Sequence, residues 1–195
     1  VSVRLIALKC PRCERPLRPA PSEVAFACGE CGQVVRVAGD AIAPQIAHWA
    51  AARPGASVRD WLPFWTLPGE VRFSRRKTDG FQLAQLVGGT GADPLWERAR
   101  RLWVPAFRLE LDEAQRWGAR LTREAREYTH GPMPDGAPLR GCELDLDDAR
   151  RLAEFIVLSI EAERSDTLAD LEFTLPDGEP ELWLLPWDGD QLIAA

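Results

Sequence analysis

The sequence predicts an α+β protein in two parts: a small N-terminal β module over residues 1–45, a linker over 46–58, and a larger α+β domain over 59–195 with antiparallel strands and two to three helices. Three observations predict this. Four of the five cysteines fall within the first 31 residues as two C-x-x-C pairs, the mark of a small fold organised by a metal rather than by a large core. Beyond residue 59, aromatic strand-like runs are mixed with stretches whose apolar residues recur every three or four positions. A chain of 195 residues, 46% hydrophobic and 28% charged, is long enough for such a module plus one core-bearing domain of about 140–150 residues, and its composition is that of an ordinary globular protein.

The N-terminal module is read from its cysteines. Cys10-Pro11-Arg12-Cys13 and Cys28-Gly29-Glu30-Cys31 are separated by fourteen residues. At this spacing each pair turns tightly enough for both thiolates to face one ion, and the intervening segment forms returning strands. Gly29 and Gly32 suit the second knuckle because glycine accepts positive φ; the first has Glu14 where the second has Gly32. In Cys10, Cys13, Cys28 and Cys31, and in the short β-prone runs around them, the first 45 residues resemble the zinc-ribbon families. That resemblance implies a four-cysteine zinc module of β-hairpins and leaves function open, since such modules are attached to many kinds of protein. Structural zinc is the expected cofactor, with iron in a rubredoxin-like tetrathiolate as the alternative. Paired C-x-x-C spacing points to metal rather than disulfides. Cys142 stands apart and is expected to be a partly buried free thiol.

In chain order, Val3–Leu8, Val24–Ala27 and Val34–Val37 read as strands, and the three prolines of Arg15–Pro21 make a stiff loop between the knuckles. Gly39-Asp40 turns, and Ala41–Pro44 returns as a short strand. Gln45–Ala52, rich in alanine, reads as a helical turn or two ended by Arg53-Pro54-Gly55. Asp60–Phe73 is strand-like with a bend at Pro68-Gly69, and Ser74–Gly80 is a cationic hairpin tip. Gly88–Gly91 lacks the register of a nucleotide loop and feeds a helix starting at Asp93-Pro94. Glu113–Glu127 is an amphipathic helix carrying Ala114, Trp117, Leu121 and Ala125 on one face; Tyr128–Gly141 is a loop. Asp145–Arg164 is the clearest helix, capped by Asp145 or Asp147, with Leu152, Phe155, Ile156 and Ile160 as its stripe. Leu171–Leu175, Glu181–Trp187 and Gln191–Ala194 then form a β-meander. Leu62-Pro63-Phe64, Val104-Pro105-Ala106-Phe107 and Leu185-Pro186-Trp187 share a texture that suggests related strands of one sheet.

Charge and missing motifs narrow the function. The net charge is −6, and residues 143–195 hold fifteen acids against three arginines, a surface that a phosphate backbone would repel. No run reaches the ~20 apolar residues of a membrane span, and the start is too short for a signal peptide, so the expected location is cytoplasmic. No catalytic residues are expected: motif and nucleotide loop are missing, and His48 and His130 are each read as lone histidines without a second one nearby. The expected function is a non-enzymatic protein–protein interaction or complex-assembly role, including peripheral association with a larger, membrane-bound complex. Eight tryptophans, if exposed, would supply contact surface. The alternatives are a nucleic-acid-binding ribbon, with Arg12, Arg15, Arg18 and Arg36 on phosphates and Phe26 stacked on a base, and an iron electron carrier.

Overall fold

The computed structural model describes residues 7–78, 94–133, 138–164 and 168–195. Among these residues the fold is α+β, with nine strands in three sheets and two α-helices. The expected strand Val3–Leu8, the turn at Asp79-Gly80, the loop Gly88–Gly91 and the Asp93 cap fall wholly or largely outside the described residues.

The N-terminal module is an antiparallel three-stranded sheet, β1 (Ala25–Ala27), β2 (Val34–Ala38) and β3 (Ala41–Pro44), in that order. Gly39, at φ 56°, makes the β2–β3 turn. Cys10, Leu17, Phe26, Cys28 and Val35 form its small core. Ala25 and Val34 face the other way and join the main core with Trp61, Trp65 and Cys142. Backbone bonds reinforce this join: the Val24 and Ala25 N–H groups donate to the Cys142 carbonyl (2.8 and 3.2 Å), and the Cys142 N–H returns to Ala25 (3.0 Å).

Residues expected to make a helical turn form a strand instead. β4 (Ala47–Trp49) pairs in parallel with β9 (Glu181–Trp187) at the edge of the main sheet. Alanine favours helix only weakly, and pairing with a distant strand overrides it. The main sheet has the order β4-β9-β5-β7, with β5 (Asp60–Gly69) and β7 (Arg100–Pro105) antiparallel to their neighbours. The three Leu/Val-Pro-aromatic stretches therefore lie in adjacent strands of one sheet. Their prolines fall within the pairings, Pro63 opposite Leu184, Pro105 opposite Phe64 and Pro186 opposite Trp61; the Pro63 carbonyl accepts from Ala106 (3.0 Å), just past β7, and that of Pro186 from Ile193 (2.9 Å).

Of the expected meander only the last arm turns back on β9, as an antiparallel bridge between Trp187 and Leu192; the first does not pair with it. β8 (Leu168–Thr174) leaves β9 and pairs with β6 (Arg72–Thr78) in a separate two-stranded sheet. Charge complements this pairing, since Arg75 meets Asp170 (3.0 Å) and Glu172 (3.4 Å), while β9 offers no such cation. The Arg75 charge of the cationic segment is thus matched within the chain. Phe73 and Phe173 add a cross-strand ring contact at 5.8 Å.

Pro94–Glu97 is a single 3-10 turn ahead of β7. Helix α1 (Leu111–Glu124) buries Ala114, Gly118, Ala119, Leu121 and Thr122 and ends at Ala125, which is left-handed (φ 46°) rather than part of the stripe. Helix α2 (Leu146–Arg164) is capped by Asp145, whose Oδ1 accepts from the Asp148 N–H at 2.9 Å. Its buried stripe is Ala149, Ala153, Ile156, Val157 and Ile160. Phe155, expected in that stripe, is 46% exposed: the buried face is centred on Ala149, Ala153, Ile156 and Ile160, and a residue one position before Ile156 is turned ~100° away from it.

Candidate metal centre

The two knuckles repeat one backbone plan. In the first, the Cys10 N–H donates to Arg15 C=O (2.9 Å) and the Glu14 N–H to Cys10 C=O (2.9 Å). In the second, the Cys28 N–H donates to Gln33 C=O (2.9 Å) and the Gly32 N–H to Cys28 C=O (2.8 Å). The residue after each second cysteine is left-handed, Glu14 at φ 61° and Gly32 at φ 68°. Glutamate therefore adopts the conformation that its glycine counterpart reaches without strain.

This repetition brings all four sulfurs within 4.8 Å of one another. Cys10 and Cys31 are 3.7 Å apart and Cys13 and Cys28 3.6 Å, pairing sulfurs across the knuckles. A tetrahedral ion with metal–sulfur bonds of ~2.3 Å has sulfur–sulfur edges of about 3.8 Å, so the four donors fit one metal ion. The same separations are well beyond a disulfide bond of ~2.05 Å, and all five cysteines are free thiols. Cys10 and Cys28 are buried over Phe26, Leu17 and Val35, while Cys13 and Cys31 are half-exposed.

The electrostatics of the cluster call for a cation. Burial opposes ionisation of Cys10, but the N–H groups of Cys13 and Arg12 and the neighbouring thiols outweigh it and lower Cys10 to about 7. At Cys13 the Arg15 N–H favours the thiolate, yet burial and the three neighbouring sulfurs prevail and push it up to about 12. Ionising one thiol of such a cluster raises the cost of ionising its neighbour. A divalent ion removes that repulsion and lets all four sulfurs act as thiolates.

Phe26 is only 5% exposed beneath the cysteines, so it is not available to stack on a base. The two histidines, expected apart, come together: β4 pairs His48 with Trp183 across the ladder, and the bridge between Ala50 and His130 brings in the second ring. Their ring centroids are 5.0 Å apart, and both lie on Trp183, at 5.2 and 4.7 Å. Among the described residues, only the four cysteines bring three or more metal-donor atoms this close, so the histidine pair lacks a third donor. Cys142 is buried, donates to the Leu144 carbonyl (3.3 Å), and is pushed up to about 12 chiefly by burial, which makes it an unreactive thiol. The tryptophans build core: Trp61, Trp65, Trp96, Trp103 and Trp183 are buried, and Trp49, Trp117 and Trp187 are half-buried.

What the geometry defines is an α+β protein with a zinc-ribbon-like tetracysteine site. No protein-family model, no curated protein and no solved structure matches the chain. Among the described residues, no helix is long and apolar enough to cross a membrane.

Proposed function

We propose that Cys10, Cys13, Cys28 and Cys31 hold one structural zinc ion, and that the chain is a non-enzymatic cytoplasmic protein that works in protein–protein interaction or complex assembly. The observation that carries the metal assignment is the set of four sulfurs at tetrahedral separations, a donor set that leaves no coordination position for substrate or water. Zinc is preferred to iron because closed four-cysteine sites most often hold it. The interaction role no longer draws on tryptophans, none of which is fully exposed. It draws on apolar side chains left on the helices: Phe155 and Leu158 on α2 and Leu111 at the start of α1, exposed by 46%, 37% and 54%.

Elemental analysis of the purified full chain is the first test, with about one zinc per chain expected. A red protein containing iron would replace this reading with an electron carrier. For the interaction role, affinity capture from native extract is expected to recover a defined partner with the wild type but not with Phe155→Asp/Leu158→Asp. Recovery of free monomer alone counts against assembly. Oligonucleotide binding that weakens steeply with salt would favour the nucleic-acid alternative.

A further inference from the structure

We infer that the face made by the start of α1 and the outer side of α2 receives a cationic amphipathic helix from a partner protein. The inference rests on the interaction role proposed above and names the chemistry of the partner.

The apolar part of this face has a socket and a ridge. The socket is a cavity of about 300 Å³ whose lining includes Pro105, Phe107, Leu109, Leu111, Leu144 and Leu152. Leu152 leads from the socket onto the ridge, because side chains three or four positions apart are neighbours on a helix surface. The buried side of α2 is centred on Ala149, Ala153, Ile156 and Ile160. At ~100° per residue, Phe155, Leu158 and Ala162 fall on the opposite side, and all three are exposed. Helix α2 thus carries apolar side chains on two sides, and the rest of the chain covers one of them. Leu152 to Ala162 spans ~15 Å of helix. A partner helix that presents apolar side chains at i, i+3 or i+4, and i+7 places its first and last anchors ~10 Å apart and fits within that length.

Charge decides the occupant. Around this face Arg108 pairs with Glu143, Arg116 with Asp112, Arg151 with Asp148, and Arg123 with Glu163. Glu110, Glu113, Asp145, Asp147 and Glu154 have no ion-pair partner among the described residues. Against them stand Arg140, whose guanidinium lies over the Phe107 ring at 5.0 Å, and Arg150. Five carboxylates to two guanidinium groups leave a surplus of three negative charges. The N-termini of α1 and α2 both lie at this face, and each supplies about half a positive charge, which reduces the surplus to roughly two. The apolar centre is therefore rimmed by acid. A second copy would set two such rims against each other, and anionic lipid or nucleic acid would be repelled. Lysine and arginine flanking the apolar stripe of a partner helix complement both the rim and the ridge.

The test is fluorescence titration of the full chain with three synthetic peptides of about 18 residues, five helical turns each. The first has leucines at i, i+3, i+4 and i+7 and lysines elsewhere, the second replaces its lysines by glutamate, and the third has the composition of the first with leucines scattered around the helix. The first is expected to bind saturably at one site and to weaken as salt rises from about 50 to about 300 mM. The other two should bind at least roughly tenfold more weakly. Phe155→Ser/Leu158→Ser should weaken the first peptide roughly tenfold or more, and Glu110→Gln/Glu154→Gln should weaken it at low salt and flatten the salt dependence. Ile46→Ser is the control, since Ile46 is 77% exposed between β3 and β4 and belongs to neither helix; it should bind like the wild type. The proposal is overturned if a chain with an intact melting transition does not bind the first peptide, if all three peptides bind alike, or if the Phe155/Leu158 variant binds like the wild type. It is equally overturned if the chain sediments as a dimer that the same variant dissociates, since a second copy would then occupy the face. Peptide failure alongside capture from extract that depends on Phe155 and Leu158 removes this partner class and leaves the interaction role standing, whereas failure of both removes both.

Discussion

Glu14 occupies the place in the first knuckle that Gly32 occupies in the second, and both are left-handed. A side chain with a Cβ costs about 1–2 kcal/mol there, whereas glycine costs mainly the extra freedom of the unfolded chain. Glu14→Gly is therefore expected to stabilise the protein by about 0.5–1 kcal/mol, read as a higher urea midpoint; a midpoint equal to or below the wild type would show that the turn is not strained. His48 sets a second test. Burial lowers its pKa from the ordinary 6.5, with His130 and Arg101 adding to the effect and Glu181 opposing it. Its folded pKa thus lies below the unfolded one, and the unfolded chain binds the proton more readily between the two. Stability is full above about 6.5 and falls as pH drops through that window. His48→Gln should flatten the dependence of the urea midpoint between pH ~7.5 and ~5, and an equally steep profile in the variant would assign it to other groups. The cluster of four cysteines was legible in the sequence because each knuckle is local. The histidine pair was not, since a parallel strand pairing and an isolated bridge bring the rings together.

Gly118 in α1 shows packing and helix propensity in opposition. Alanine in a helix interior is better than glycine by ~1 kcal/mol, so Gly118→Ala looks favourable on the sequence alone. In the fold, a Cβ at this position would lie 2.3 Å from Ile156 Cδ1, 2.8 Å from Ile156 Cγ1 and 2.8 Å from the Trp103 carbonyl oxygen. The Ile156 side chain can rotate, but the backbone carbonyl of β7 is held in the sheet. Overpacking of this kind costs about 1–3 kcal/mol and is set against the propensity gain of about 1 kcal/mol, for a net loss of up to about 2 kcal/mol. Thermal melts of Gly118→Ala and of Gly118→Ala/Ile156→Val measure it: the single variant should melt lower, and the double should not recover fully, because the carbonyl contact remains. A single variant that melts higher would mean α1 can shift away from β7. At this scale, strands with strong aromatic and branched character were readable, as was the capped helix α2. β4 was misread because its alanine-rich sequence carries no strand signal of its own; its conformation comes from β9. The first arm of the meander failed for a related reason, since β8 pairs with β6 across contacts between distant residues, Arg75 with Asp170 and Glu172 and Phe73 with Phe173, which local periodicity does not reveal.

Across the whole molecule, the acidity concentrated in residues 143–195 is matched by arginines from the middle of the chain: Arg75 with Asp170 and Glu172, Arg101 with Glu181, Arg108 with Glu143, and Arg123 with Glu163. Each exposed pair is worth at most about 1 kcal/mol, so they favour the observed arrangement without holding the fold together. The composition showed the acidic end but not its partners, which depend on contacts between distant segments. What holds the N-terminal module differs from what holds the larger domain. The module's own core is Cys10, Leu17, Phe26, Cys28 and Val35, so few residues that, on the proposed zinc reading, the metal supplies much of its stability. The larger domain has two clusters built on both faces of the four-stranded sheet, to which the module adds Ala25 and Val34. Removing the metal with a chelator should therefore unfold the module and only loosen its attachment at Cys142. Hydrogen exchange should rise sharply at the knuckles and in β1–β3 and stay slow in β5, β7 and β9. Tryptophan emission should shift only in part: Trp61 and Trp65 share a cluster with Ala25 and Val34 and become more exposed, whereas Trp103 and Trp183 lie in the cluster that the module does not touch. Cys28→Ser should reproduce this pattern without chelator. If instead β5, β7 and β9 exchange as fast as the knuckles after chelation, the two parts fold as one cooperative unit and the shared residues Ala25 and Val34 couple them more strongly than their small buried area suggests.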